Sequence, residues 1–361
     1  MRILFTKLRH IGDNLLITPI LVATRRKFPD AEIWMVVRRG TEGILGGCPE
    51  IDRLLTTARP EEGQRSWRDS VEDLTTLSSV AVHRFDYAFE LGDNDRGRLL
   101  VAASGATVRA THLSDLGLTP FWRRRFTRVV DTERGHLHQV EMDYMTPREI
   151  LGLPEDIPPL RFAAESLRPC PDADNQGNLA PGSFAVLHAA TRWECKSWPL
   201  ERWREVLMQI LEFTPRVLIS CGPSPREIAE ARALCEGFDD RVITTAGTAS
   251  WKQLAWILQR ARYYVGVDTA AMHLAAAVQC PIVTLFGHSV PGQFGPWKCP
   301  HLMVAPAGRK RGEPSETPGA PVNDRMLNIS VEEVVEACKS VTSGRWKGWA
   351  IDATIWGQPV I

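Results

Sequence analysis

The stretch Val265-Gly266-Val267-Asp268-Thr269-Ala270-Ala271-Met272-His273-Leu274-Ala275-Ala276-Ala277 decides the fold class. It closes the apolar run 263–267 (YYVGV), which reads as a buried strand, and passes straight into 270–278, which reads as a helix. A strand feeding a helix across a two-residue junction is half of a βαβ unit. The first helical turn carries only small side chains. Its unpaired backbone N–H groups at Thr269, Ala270 and Ala271 would therefore form a close-approach anion site, reinforced by the helix dipole.

The alternation extends in both directions from there. Upstream, 184–188 (FAVLH), 216–221 (RVLISC) and 242–244 read as strands, with helical patterns over 200–213, 225–235 and 251–260. Downstream, 282–286 (IVTLF) is another strand. Ser330 is placed to cap a helix running to about 341, with Glu332 and Glu333 in its first turn. The amino-terminal half repeats the rhythm: strands at 2–8, 31–37 (AEIWMVV), 86–91 (DYAFEL) and 106–111, and a helix over 15–28. Pro and Gly thicken over 164–182, the natural linker. The expectation is an α/β chain of two Rossmann-like, doubly wound parallel-sheet domains facing a central cleft. The boundaries are 1–165, a linker at 166–182, 183–330, and a carboxyl-terminal helix and tail at 331–361; 306–323 reads as a loop.

Bulk properties narrow the function classes. The 361 residues exceed what one core usually supports, so two domains are the prior. Lys+Arg and Asp+Glu balance at 43 each, which argues against a nucleic-acid partner. The eight cysteines contain no CxxC pair, so neither a zinc finger nor a thioredoxin-like motif is expected. The amino-terminal apolar stretch at 1–7 reads as far too short for a signal peptide, no apolar run is long enough to span a bilayer, and a cytoplasmic location is expected.

Two further strand-end loops carry charge suited to chemistry. Leu8-Arg9-His10-Ile11-Gly12-Asp13-Asn14 lacks the glycine fingerprint of a dinucleotide site, which disfavours a nicotinamide oxidoreductase. It offers Asp13 instead, either as a base toward a substrate hydroxyl or as a helix cap. His10 stands close enough to assist. The loop 188–199 (HAATRWECKSWP) follows a strand and carries Arg192 and Lys196, a planar fork and a point charge suited to a diphosphate. Asp268 could accept hydrogen bonds from sugar hydroxyls while capping its helix. Asp93-Asn94-Asp95 has the form of a metal-binding DxD motif but reads as a loop toward an acceptor or solvent. His136 and His138 read as packing and capping residues. The run 121–128 (FWRRRFTR) mixes Arg123, Arg124 and Arg125 with aromatics; it suits an anionic, membrane-embedded acceptor and equally reads as a strand or loop with a solvated basic face.

Taken together, "IGD…TP" at 11–19, "R…KSW" at 192–198 and "GVDTAAMHLAAA…PIVTLFG" at 266–287 resemble the bacterial heptosyltransferases, glycosyltransferase family nine, in order and spacing. The spacing of "TRWECKSW" and "GPW" at 295–297 is most similar to the branch that adds the third inner-core heptose of lipopolysaccharide. The resemblance implies a GT-B fold, an ADP-heptose donor, an inverting mechanism, no cofactor and no metal. It places the catalytic base on Asp13 and the phosphate contact on Lys196, beside Thr191 and Arg192. It places the donor-sugar contacts on Asp268, Thr269 and Ala270, with His273 behind them, and the ribose-holding acid on Glu227. The loop beside the adenine falls at 247–250. His10, Asp93 and Arg123–Arg125 are the acceptor-side candidates. The implied partners are an ADP-sugar and a lipid-linked or oligosaccharide acceptor, with peripheral association at the inner face of the membrane. The rival readings are a non-catalytic nucleotide-sugar-binding module, and an enzyme of the same fold using another nucleotide sugar.

Overall fold

Each half of the chain is organised around one six-stranded, all-parallel sheet. The computed structural model describes residues 1–59, 65–113, 117–131, 137–163, 165, 167–169, 179–287, 289–306 and 324–344, and it divides into the units Met1–Ala163 and Ala164–Ile361. His136, most of the expected linker, most of the 306–323 loop and nearly all of the tail lie outside the described residues.

Unit 1 runs β1 (Arg2–Lys7), α1 (Ile11–Leu16), α2 (Thr18–Lys27), β2 (Glu32–Arg38), β3 (Arg53–Thr57), α3 (Trp67–His83), β4 (Tyr87–Glu90), α4 (Asp95–Ala103), β5 (Val108–His112), α5 (Pro120–Arg123), β6 (Arg128–Val130) and α6 (Gln139–Leu151). The strand order is β3-β2-β1-β4-β5-β6. β1 and β2 are near-continuous apolar runs because helices cover both sheet faces. Leu4, Trp34, Val36 and Ala88 pack under α3, α4 and α5 through Val80, Leu100, Val101 and Trp122. The opposite crossover, β1 to β2, puts α2 on the other face, where it packs against α6.

The expected helix over 15–28 is two helices that meet at Ile17. Pro19 explains the break: it has no N–H for the Leu15 carbonyl, and its ring crowds that oxygen. The Thr18 hydroxyl donates to the Leu15 carbonyl instead (2.7 Å). The consequence is functional geometry, since α1 becomes a short turn that carries Asp13 at the sheet edge.

Unit 2 runs β7 (Phe184–His188), α7 (Leu200–Ile210), β8 (Arg216–Ile219), α8 (Pro225–Cys235), β9 (Val242–Thr244), α9 (Trp251–Arg260), β10 (Tyr263–Val267), α10 (Ala270–Ala277), β11 (Ile282–Leu285), α11 (Pro291–Phe294), β12 (His301–Val304), α12 (Asp324–Leu327) and α13 (Val331–Thr342). The strand order is β12-β11-β10-β7-β8-β9. Trp203, Val206, Leu207 and Ile210 of α7 share one core with Val334, Val335 and Cys338 of α13, so the last helix closes the core of this unit. The Ser330 hydroxyl accepts the Glu333 N–H (3.2 Å) and starts α13. β10 runs close against β7 at Gly266, where an added Cβ would lie 2.5 Å from the His188 carbonyl oxygen.

The strand order reverses between β1 and β4 in unit 1 and between β7 and β10 in unit 2. Loops leaving the carboxyl ends of these strands are where such sheets bind ligands.

Candidate active site

In unit 2 the switch point carries a buried charge cluster. β7 exits through Ala189–Trp193 into a short 3-10 turn, Glu194–Lys196, and β10 exits directly into Asp268. The Lys196 ammonium donates to Asp268 Oδ2 (2.6 Å), and the Ser289 hydroxyl donates to the same oxygen (2.5 Å). His273 Nε2 lies 3.9 Å from Asp268 Oδ1. Burial works against ionisation of Asp268, but the charges of Lys196 and His273 and the two hydrogen bonds outweigh it and hold the carboxyl below its ordinary value. Two of the three ammonium donors of Lys196 remain for an anion.

Beside this cluster stands the amino end of α10. Its N-cap, Thr269, makes no side-chain cap, so the first-turn amides are not capped by their own N-cap residue. Ala270 and Ala271 leave them approachable. The neighbouring Tyr264 hydroxyl lies 3.5 Å from that of Thr269. His188, at the end of β7, is buried between Ser220 and Tyr264 and is held neutral, its pKa lowered to about 4 by burial.

The remaining donor-side candidates divide. Thr191 is buried, and its carbonyl accepts from Arg226 Nη2 (2.5 Å). Arg226 thus ties the loop after β7 to the first turn of α8, a role the sequence reading missed. Arg192 is exposed and lies over the Trp193 ring, 5.4 Å from its centroid. Glu227 Oε2 accepts the Gly222 N–H (2.6 Å), which fixes the loop after β8. Gly247, at φ +74°, approaches so closely that a Cβ would sit 2.7 Å from the Gly222 carbonyl oxygen. The Glu227 loop and the 247–250 loop are therefore neighbours.

In unit 1 Asp13 is partly buried in the first turn of α1, and its Oδ2 accepts the His10 backbone N–H (3.0 Å). Behind it lies a buried ion pair: the Lys7 ammonium meets both Asp143 oxygens at 2.7 Å and the Leu91 carbonyl at 2.8 Å. Burial raises the Asp143 carboxyl, Lys7 lowers it, and Asp13 adds a smaller raising effect. Arg38, which ends β2, stands in the field of Arg96, Arg9, Arg59 and Asp13, and its Nε has no hydrogen-bond partner among the described residues. The carboxyl edge of this sheet thus gathers arginines about Arg38, with Asp13 in the same field. Sequence spacing could not collect them, since they come from four different connections. Glu90, next to β1, is fully buried; burial lifts its pKa to about 7 despite hydrogen bonds from Gly92, Thr111 and Asn94.

The acceptor-side candidates are dispersed. Asp93, at φ +51°, and Asp95 both pair with Arg98, so the DxD carboxylates answer to an arginine of their own helix. His10 is exposed at the head of α1. Arg123, Arg124 and Arg125 lie where the chain enters β6, at the amino edge of the sheet; Arg109, near the start of β5, donates to the Arg125 carbonyl (2.7 Å). They are at the opposite edge from Asp13. His138 caps α6, its Nδ1 accepting the Val140 N–H (3.1 Å).

Comparison with known proteins gives the family and the fold. Residues 79–310 match the family described as glycosyltransferase family 9 (heptosyltransferase), and the chain belongs to that family. Lipopolysaccharide heptosyltransferase 3 of Escherichia coli (strain K12) is 25% identical over 292 residues, 80% of this chain and 83% of that protein. Lipopolysaccharide heptosyltransferase 1 of Pseudomonas aeruginosa is 28% identical over 309 residues, 82% of this chain and 81% of that protein. Among solved structures, E. coli heptosyltransferase WaaC with ADP matches with a TM-score of 0.76 at 22% identity, covering 94% of this chain and 100% of that one. E. coli ADP-heptose lps heptosyltransferase II matches with a TM-score of 0.74 at 16% identity, covering 96% and 99%. The fold is GT-B, and the chain is a glycosyltransferase.

Proposed function

We propose that this chain is an inverting heptosyltransferase that moves heptose from ADP-heptose to a hydroxyl of a lipopolysaccharide inner-core acceptor, with Asp13 as general base. The observation that carries the donor half is the Lys196–Asp268–Ser289 cluster beside the uncapped α10 amino end. A diphosphate there meets the Lys196 ammonium and the amides at 269–271, while Asp268 retains oxygen lone pairs for sugar hydroxyls. Glu227 Oε1 and the 247–250 loop are assigned to the nucleoside. Relatives with heptosyltransferase names and a matching structure determined with ADP support this choice of donor.

In the acceptor half, the acceptor oxygen bonds to the anomeric carbon as the bond from that carbon to the diphosphate oxygen breaks. The acceptor proton passes to an Asp13 oxygen, and the charge gathering on the diphosphate is met by Lys196 and the α10 amides. Arg38, in the field of Arg9, Arg59, Arg96 and Asp13, favours an acceptor rich in carboxylate or phosphate. An acceptor built on lipid brings peripheral membrane association into the same reading.

The deciding experiment follows ADP release from ADP-heptose with a delipidated inner-core acceptor. Turnover that collapses in Asp13→Asn supports the reading. ADP-heptose binding without turnover supports the binding-module alternative, for which the Asp13 cap to His10 is the favouring observation. Turnover with UDP- or GDP-sugars alone would reassign the donor.

A further inference from the structure

Among the described residues of unit 1, every exposed large hydrophobic side chain except Met1 lies on α3, α4 or α5, the helices that cover one face of the sheet: Trp67 (72%), Val71 (51%), Leu74 (61%), Val82 (77%), Leu99 (49%) and Phe121 (55%). The opposite helical layer exposes none among the described residues. On α3 the pattern is continuous. Residues 67, 71, 74, 78 and 82 follow helical spacing, and Thr75, Ser78 and Ala81 fill the exposed face between the apolar ones. This solvent-facing stripe carries no charge over about 22 Å. A surface helix normally turns its apolar stripe inward and its charges outward. Here Asp69 and Glu72 are drawn to Arg39, and Asp73 to Arg65 and Arg96, which leaves the outer face bare.

The rim is chiefly basic and aromatic; its exposed acid on α4 is Asp95, one turn before Leu99, and it is paired with Arg98. Arg68 is exposed over the Trp67 ring, 5.5 Å from its centroid, and Arg84 is exposed just past the other end of α3. Phe121 stands out beside exposed Arg123 and Arg124, with Arg125 over its ring. A tryptophan at the end of an uncharged apolar stripe, rimmed by arginines, matches the boundary between acyl chains and anionic headgroups.

The geometry points to the α3–α4–α5 layer as a docking face for an anionic lipid bilayer, with α3 lying on the surface. α3 leaves β3 and enters β4, so its Trp67 end lies at the carboxyl edge of the sheet, the edge that carries Asp13. Docking through α3 would hold that edge near the membrane plane, where a lipid-linked acceptor presents its sugars. The benefit to transfer rests on the proposed heptosyltransferase reading; the docking itself does not.

The test sediments the full chain with vesicles of phosphatidylethanolamine and phosphatidylglycerol, and with vesicles of phosphatidylcholine. The wild type should pellet with the anionic vesicles, less so as salt rises, and weakly with phosphatidylcholine. Trp67→Ser/Val71→Ser/Leu74→Ser/Val82→Ser should lose at least about tenfold in partitioning while keeping its ADP affinity and melting temperature. Val82→Asp alone, at a position too exposed to disturb packing, should reproduce part of the loss, and Met208→Ser in unit 2 should behave as wild type. A wild type that stays in the supernatant, or a quadruple variant that pellets like wild type, overturns the proposal. A change from dimer to monomer in the variant without a change in vesicle binding assigns the face to a second copy of the chain and also overturns it. Turnover of a delipidated acceptor separates the two readings. Vesicle binding without transfer to any acceptor would sink the functional reading and leave this face standing, and transfer without vesicle binding would do the reverse.

Discussion

Lys196 and Asp268 are 72 residues apart in the chain and 2.6 Å apart in the fold. They meet because β7 and β10 are adjacent parallel strands, with Val265 opposite Leu187 and Gly266 opposite His188. Each residue leaves the carboxyl end of its strand into the same crevice. The pair neutralises a buried carboxylate and holds a cation beside the open amino end of α10.

Lys196→Ala should weaken ADP binding ten- to a hundredfold, since a charge-assisted contact to phosphate is worth about 1.5 to 3 kcal/mol. It should also lower the melting temperature by stranding Asp268 in the interior. Adding Asp268→Asn should restore the melting temperature but not ADP affinity, as read by calorimetry. Arg192→Ala, at an exposed position over Trp193, should have a smaller effect on binding. So should the combined Arg123, Arg124 and Arg125 substitutions in unit 1.

Asp13→Asn should reduce turnover at least about a hundredfold with donor affinity preserved. Asparagine keeps an oxygen for the His10 N–H, so the cap survives and stability should hardly change. Asp13→Ala should lose turnover and, in addition, about 1 kcal/mol of stability. An asparagine variant retaining more than half of wild-type turnover would remove Asp13 from the chemistry.

Activity should survive EDTA, because Lys196 and the α10 amides are placed to meet the developing diphosphate charge. Asp93 and Asp95 are engaged by Arg98. Activity lost on chelation and restored by Mg²⁺ or Mn²⁺ would promote those two carboxylates to metal ligands.

Arg38→Ala should raise the acceptor KM severalfold and leave ADP affinity unchanged, because Arg38 stands in the field of Asp13 among Arg9, Arg59 and Arg96. Steady-state kinetics with varied acceptor and calorimetry with ADP check the two halves separately.

Glu90 gives a pH signature. Burial raises its folded pKa to about 7, so folding binds a proton that the unfolded chain has released. Its contribution is fully present below the unfolded carboxyl value near 4.5 and is lost as pH rises through about 7. Glu90→Gln should therefore gain stability relative to wild type across that window, by up to about 3 kcal/mol, and level off above it. Denaturant unfolding at pH 5, 6, 7 and 8 reads the difference. A pH-independent difference would show that Glu90 stays ionised in the fold.

Much of this was legible in the sequence. The central strands β1, β2, β4, β7, β10 and β11 are apolar runs because both faces of each sheet are covered, and that composition survives in one dimension. Asp13, Lys196 and Asp268 follow such strands, so their place at a strand end could be read directly. Tertiary structure decided the rest. β3, β6 and β12 went unrecognised; all three are edge strands, and β3 and β6 carry few buried residues because one flank has no partner. The arrival of Ser289 at Asp268 and the gathering of arginines about Arg38 depend on long-range contact rather than spacing. The bare face of α3 shows the limit most clearly. Helical periodicity marks which residues share a face, but only the packed sheet determines which face is buried, and here burial left the apolar stripe outside.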